Sequence, residues 1–199
     1  SISAVKGGKV MDTSMGFTPL AGVEMGTRCG DIDPAIVTYI MENEGLTTAE
    51  MDNLMNKKAG FLGVSGFSSD SRDLEDAIAN GPSDPNYERA NLAVNILTHG
   101  IKKYIGAYAA EMGGVDAIVF TAGIGENNGM LREMIMQDFE YLGAKIDPAK
   151  NAACADGHAY ECVISTDDSK VKICVIPTDE ESVIASDTLC IVTGKEIVD

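Results

Sequence analysis

Apolar residues recur at helical spacing from Tyr87 to about Met112: Ala90, Val94, Leu97, Ile101, Tyr104, Ile105 and Tyr108. That spacing lines them along one side of a long helix and marks it as a central packing element. Shorter patterns precede it. Residues 2–5 and 9–13 flank Lys6-Gly7-Gly8, which reads as a β-hairpin on a Gly-Gly turn. Asp33-Pro34 opens a helix as N-cap and first residue, with Ile36, Tyr39, Ile40 and Met41 as its apolar face and Gly45 as its end. Thr47-x-x-Glu50 is a capping box for a helix to about Lys57. A further helix is predicted over 72–79, stopped by Asn80-Gly81 and followed by a turn over 82–86. The stretches 15–30 and 60–73, rich in Gly and Ser, read as loops.

Beyond the long helix, the apolar run 117–120 reads as a buried strand. It ends in Thr121-Ala122, turns on Gly123-Ile124-Gly125, and gives way to a helical pattern at Asn127–Asn128. That helix is predicted over 128–141, with Leu131, Ile135 and Phe139 inward and Gly143 as cap. Strands are predicted over 144–146, 161–165 and 171–176. Thr178-Asp179-Glu180-Glu181 reads as a second capping box, opening a helix to about Leu189. The rhythm is mixed α/β, with strands delivering glycine-rich loops to helices.

Composition narrows the partners. The chain has 199 residues, 45% of them apolar, enough for a real core, and one large domain is the better prior. Its 31 acidic and 15 basic residues leave a formal charge of −16. That balance argues against a nucleic acid or an anionic membrane as partner, and any anionic ligand must be held by a few local cations, backbone amides or a metal. The five cysteines include no CxxC pair and are odd in number, as expected of reduced thiols in a cytoplasmic protein. His99 and His158 have no zinc-ligand spacing, and no role is assigned to His158 or Cys162. There is no signal peptide and no apolar run of membrane-spanning length. The chain opens on a strand-like Ser1-Ile2-Ser3-Ala4-Val5 without Met, so a fragment or isolated domain is expected.

The stretch 116–127, a strand turning on glycines into a helix, places backbone N–H groups where negative charge is favoured and lets a ligand lie against bare backbone. An ordinary strand–turn–helix joint has the same signature. There is no GxxxxGK[ST], no GxSxG and no HExxH, and Gly123-x-Gly125-x-x-x-Gly129 misses the dinucleotide spacing by one residue. What remains is charge framed by glycine: Arg28, Asp70, Arg72 and Glu180. Singly, these read as a surface ion pair, a helix N-cap, a solvated first-turn residue and a first-turn acid facing a helix dipole. Together, a guanidinium, a glycine–amide cradle and a metal-capable carboxylate are what phosphoryl transfer requires.

The wording of four segments, SISAVKGGKVMDTSMGFTPLAGVEMGTRCGDIDPAI (1–36), LMNKKAGFLGVSGFSSDSRDL (54–74), IVFTAGIGEN (118–127) and VIPTDEE (175–181), resembles the acetate kinase family. The resemblance implies a ribonuclease-H-like α/β domain of the actin-like ATPase superfamily, a mixed sheet flanked by helices. It implies that residues 1–199 are the C-terminal nucleotide-binding domain of a two-domain kinase whose N-terminal domain is absent from this chain. The implied reaction is reversible transfer of the ATP γ-phosphoryl to acetate with Mg²⁺, or Mn²⁺ in its place, in a cytoplasmic homodimer. Arg28 then matches the arginine on the transferring phosphoryl group. Asp70, Ser71 and Arg72 match the loop lining the nucleoside pocket, and Gly123, Ile124, Gly125, Glu126 and Asn127 match the adenosine loop. Glu180 matches a Mg²⁺ ligand, with Glu181 left to the capping box. Propionate or butyrate kinase is the nearest alternative. A module that only binds nucleotide or dimerises is another, and the fragment alone is expected to be inactive.

Overall fold

A computed structural model describes residues 1–154 and 161–195, so His158 lies outside the described residues. The chain packs as two compact units, one of residues 1–115 with 134–138, the other of residues 116–133 with 139–199.

In the first unit, β1 (Ser3–Lys6) and β2 (Lys9–Thr13) form the expected antiparallel hairpin, pairing Ser3 with Thr13 and Lys6 with Lys9. Gly7 and Gly8 turn it at φ of 60° and 75°. Residues 15–30 carry no helix or strand, as expected. α1 (Pro34–Glu44) begins where the Asp33 carboxylate accepts the Ala35 N–H and ends at a left-handed Gly45. The capping box holds in full. Glu50 accepts the Thr47 N–H at 2.8 Å, and Thr47 Oγ1 accepts the Glu50 N–H at 3.3 Å, opening α2 (Thr48–Lys57).

Two expectations here need correction. The apolar face of α1 is not core, for no residue of that helix is buried and Tyr39 is 65% exposed. A helical stripe shows which face favours cover, not that the same unit supplies it. The stretch 60–73 is not all loop, because Gly60–Ser65 is a helix, α3, and α4 covers Ser71–Ala79. Phe61 and Ser65 are buried in α3, which packs on α5 (Tyr87–Met112), and that packing overrides the low helix propensity of glycine and serine. α4 packs on α5 as well. Ala90, Val94, Leu97, Ile101 and Tyr108 of α5 are buried as the spacing predicted, with Tyr104 and Ile105 half-buried.

The second unit holds a mixed three-stranded sheet. β3 (Ala117–Phe120) runs parallel to the central β5 (Lys172–Val175), which pairs antiparallel with β4 (Cys162–Val163). Among the described residues β3 is an edge strand. Only Phe120 is buried and Val119 is 48% exposed, so the apolar run did not mean burial on both faces. The strands expected over 144–146 and 161–165 shrink to two bridges, Ala144 to Val171 and Ile146 to Ser165, and the two-residue β4. The Ser169 hydroxyl takes ladder positions there, accepting the Lys145 N–H and donating to the Val171 carbonyl.

The helix predicted over 128–141 is α7 (Gly129–Met136) followed by a 3-10 turn (Glu140–Leu142), with Gly143 as the left-handed cap, and a separate helix, α6 (Ala122–Asn127), stands before it where the glycine turn was expected. Asp138, at φ 69°, breaks the path after α7, while Leu131, Ile135 and Phe139 are buried as predicted. α8 (Pro148–Ala153) carries the same Asp-Pro opening as α1 and was legible in Asp147-Pro148, but is absent from the sequence-based prediction. α9 (Glu180–Thr193) runs past Leu189, and its N-cap is Asp179, which accepts the Ser182 N–H at 3.0 Å. Thr178 and Glu181 therefore do not form the predicted capping box.

Candidate functional site

Arg28 sits on a loop fastened through its backbone. Phe61 and Leu62 N–H groups donate to the Met25 and Gly26 carbonyls at 3.0 and 2.9 Å, and Ala59 N–H donates to Thr27 O at 3.1 Å. The Met25 N–H closes the loop on Arg28 O at 3.1 Å. Gly60 supports it from beneath. Its φ is +59°, and a Cβ there would collide with the Met25 carbonyl and lie 2.7 Å from Arg28 O. The half-buried Arg28 side chain makes a weak contact, Nη1 to Met25 Sδ at 3.5 Å. Among the described residues it has no carboxylate within ion-pair distance.

The same loop touches the second predicted segment. Gly26 approaches the Ser69 carbonyl so closely that a Cβ would stand 2.6 Å from it. Asp70, the next residue, does two things. It caps α4 by accepting the Arg72 N–H at 2.9 Å, and it holds the Arg72 guanidinium through Nε at 3.1 Å and Nη2 at 2.6 Å. Those Arg72 bonds hold the Asp70 carboxyl down at about 2. Arg72 remains 83% exposed, so the pair contributes little to stability and serves to fix an outward guanidinium. Ser71 is the first residue of α4, and its hydroxyl meets the Glu75 carboxyl.

One residue of this loop escaped the sequence reading. Glu24 is only 7% exposed, and among the described residues its Oε1 has no hydrogen-bond partner. Burial pushes its carboxyl up to about 7, partly offset by the Leu97 amide. The only sequence signal was an acid between Val23 and Met25 in a glycine-punctuated loop.

In the second unit, Gly123, Ile124, Gly125, Glu126 and Asn127 lie inside α6 rather than in a turn before it. The left-handed residue at the strand-to-helix corner is Ala122, at φ 60°. This corrects the expectation that the glycines make the bend. Gly125 is bare for packing, since a Cβ would lie 3.3 Å from the Phe120 carbonyl carbon, whereas Gly123 faces open space. Ile124 is exposed, and the Asn127 amide donates to Gly123 O at 2.9 Å. The Glu126 carboxylate accepts both the N–H and the hydroxyl of Thr178 at 2.9 Å, and the Thr178 amide draws its pKa down.

Glu180 is the first residue of α9 and is exposed. No group of three or more His, Cys, Asp or Glu able to hold a metal exists among the described residues. A single carboxylate suits a Mg²⁺ ion that keeps its waters and arrives on nucleotide phosphates, not an ion caged by protein alone. Arg132 is the second residue the sequence reading missed. It is fully buried on α7 and bonds Gly125 O, Glu126 O and Asn151. Its signal was a charge inside the inward stripe 128-131-132-135-136-139.

Arg28 with Asp70, Ser71 and Arg72 thus belongs to the first unit, and residues 123–127 with Glu180 belong to the second. No helix among the described residues is long and apolar enough to cross a membrane.

Residues 1–186 match the model of the acetokinase family. The acetate kinase of Moorella thermoacetica is 56% identical over 192 residues, covering 96% of this chain and 46% of that protein. The crystal structure of Porphyromonas gingivalis acetate kinase superposes with a TM-score of 0.86 at 51% identity, over 96% of this chain and 46% of that one. A propionate kinase from Francisella tularensis superposes at 0.78 with 40% identity, over 90% and 43%. The chain spans about half the length of the relatives it matches. Its α/β architecture with a mixed sheet is the actin-like ATPase fold of these kinases. The chain belongs to the acetokinase family.

Proposed function

We propose that this chain is the C-terminal, nucleotide-binding domain of a two-domain acetate kinase, which moves the γ-phosphoryl of ATP reversibly onto acetate. The observation that carries the reading is Arg28: a guanidinium without a carboxylate partner among the described residues, on a loop whose backbone is bonded to α3 on one side and abuts the Ser69–Asp70 segment on the other. A charge left unneutralised on a rigid support suits a group whose partner is a transient phosphoryl oxygen.

In the proposed mechanism an acetate oxygen attacks the γ-phosphorus in line, and the ADP oxygen leaves. Arg28 takes two equatorial oxygens on its fork as charge spreads over them. Arg72, oriented by Asp70, is assigned a role in binding the nucleoside, and so, separately, is the segment Gly123–Asn127. Glu180 would bind Mg²⁺, which supplies neutralisation of phosphate charge when bound. No covalent enzyme intermediate is needed.

The likeness to a propionate kinase favours a second reading, in which the acyl group is longer. A hydroxamate assay of the full-length enzyme with acetate, propionate and butyrate separates the two readings by kcat/KM. In that enzyme Arg28→Ala is expected to lower kcat by at least about a thousandfold, while raising the KM for ATP only a few fold. An unchanged kcat removes Arg28 from the chemistry.

A further inference from the structure

Arg132 is wholly buried, yet among the described residues no carboxylate lies within ion-pair distance of it. A buried guanidinium costs much unless its donors are used. Here they are used in two directions. Nε donates to Asn151 Oδ1 at 2.7 Å and Nη2 to the Asn151 carbonyl at 3.2 Å, anchoring the group to α8. Nη1 donates to the Gly125 and Glu126 carbonyls at 2.8 and 2.7 Å. Those carbonyls close the last turn of α6, where a helix leaves its acceptors without internal partners. A helix of six residues cannot hold its own shape, so its path is set by what binds its ends.

The anchor is itself constrained. Asn151 is 1% exposed, and its amide donates to Gly129 O at 2.9 Å and Glu133 Oε1 at 3.2 Å, leaving Oδ1 turned to Arg132. The Glu126 carboxylate in turn grips Thr178, two residues before Glu180.

We propose that Arg132, oriented by Asn151, is a positioning residue that sets the backbone of Gly123–Asn127 for the nucleotide and, through Glu126 and Thr178, the start of α9 that carries Glu180. The proposal rests on the nucleotide reading of that segment. A cation that merely stabilises the second unit would, when lost, loosen the whole unit and not α6 in particular.

The test compares this 199-residue chain with its Arg132→Lys and Asn151→Ala variants. Hydrogen exchange is followed at 122–128, with the β3 and β5 amides as internal control, and binding of a fluorescent ADP analogue with Mg²⁺ is titrated. In Arg132→Lys the 122–128 amides should exchange on the order of tenfold faster with β5 unchanged, and nucleotide affinity should fall by a similar factor. Asn151→Ala should move both readouts the same way by less, and decides the matter if the lysine variant does not fold. Unchanged exchange at 122–128, equal loosening of β5, loss of fold in both variants, or faster exchange with undiminished affinity each overturns the proposal. If the unaltered chain binds no nucleotide, the nucleotide reading fails, and local exchange alone then decides whether Arg132 positions the segment.

Discussion

Glu24 makes a quantitative test of how the Arg28 loop is built. Its carboxyl lies in the core beside α5, raised from an ordinary 4.5 to about 7 by burial. In the folded state it holds its proton through a range where the unfolded chain has released it. Stability is therefore fullest below about pH 4.5 and is lost as pH rises through 7. At about 1.4 kcal/mol per pKa unit the whole effect is on the order of 3 kcal/mol, of which about 2 kcal/mol falls between about pH 5.5 and about pH 8. Glu24→Gln keeps the shape and removes the titration. The amide still lacks one partner, so the variant pays a penalty, but one independent of pH. Urea unfolding followed by circular dichroism at the two pH values should show the wild type losing about 2 kcal/mol more than the variant. Because the chain has two units, exchange of α5 amides assigns the transition to the first. Parallel pH profiles for the two proteins would show that Glu24 does not titrate as a buried acid, and the account of this loop would fail.

Three further outcomes follow from the same geometry. Gly60→Ala places a Cβ against the Met25 carbonyl at positive φ, so it should cost about 2–4 kcal/mol, read as a lowered melting temperature. Wild-type melting would mean that the loop yields and does not depend on the glycine. Arg72→Met should weaken Mg–nucleotide binding in calorimetry while leaving melting nearly unmoved, because the Asp70–Arg72 pair is solvent-screened and Asp70 still caps α4. Equal affinity would remove Arg72 from the proposed nucleoside site. On the proposed two-domain reading, the 199-residue chain alone should give no hydroxamate turnover above background, since half of such a cleft would hold too few transition-state contacts; ordinary turnover would refute that expectation.

Local signals in the sequence were reliable where neighbours a few residues apart settle the structure. Asp33-Pro34, the Thr47–Glu50 box, the Gly7-Gly8 turn and the full extent of α5 are all found where they were read. The readings that failed depended on remote partners. α3 is helical because Phe61 meets α5, β3 is an edge because among the described residues β5 alone pairs with it, and Thr178 loses its capping role because Glu126 reaches it across 52 residues. Nothing within a short window reports such contacts.

The sequence by itself determined the family and the start signals of most helices, because wording, caps and periodicity are properties of adjacent residues. Only the tertiary structure decided that Glu24 and Arg132 are buried, that Ala122 and not a glycine makes the bend into α6, and that Glu126 spends its carboxylate on Thr178. Burial and long-range bonding depend on what arrives from elsewhere in the chain, so a charged side chain written in a loop or a stripe acquires its role only when the fold surrounds it.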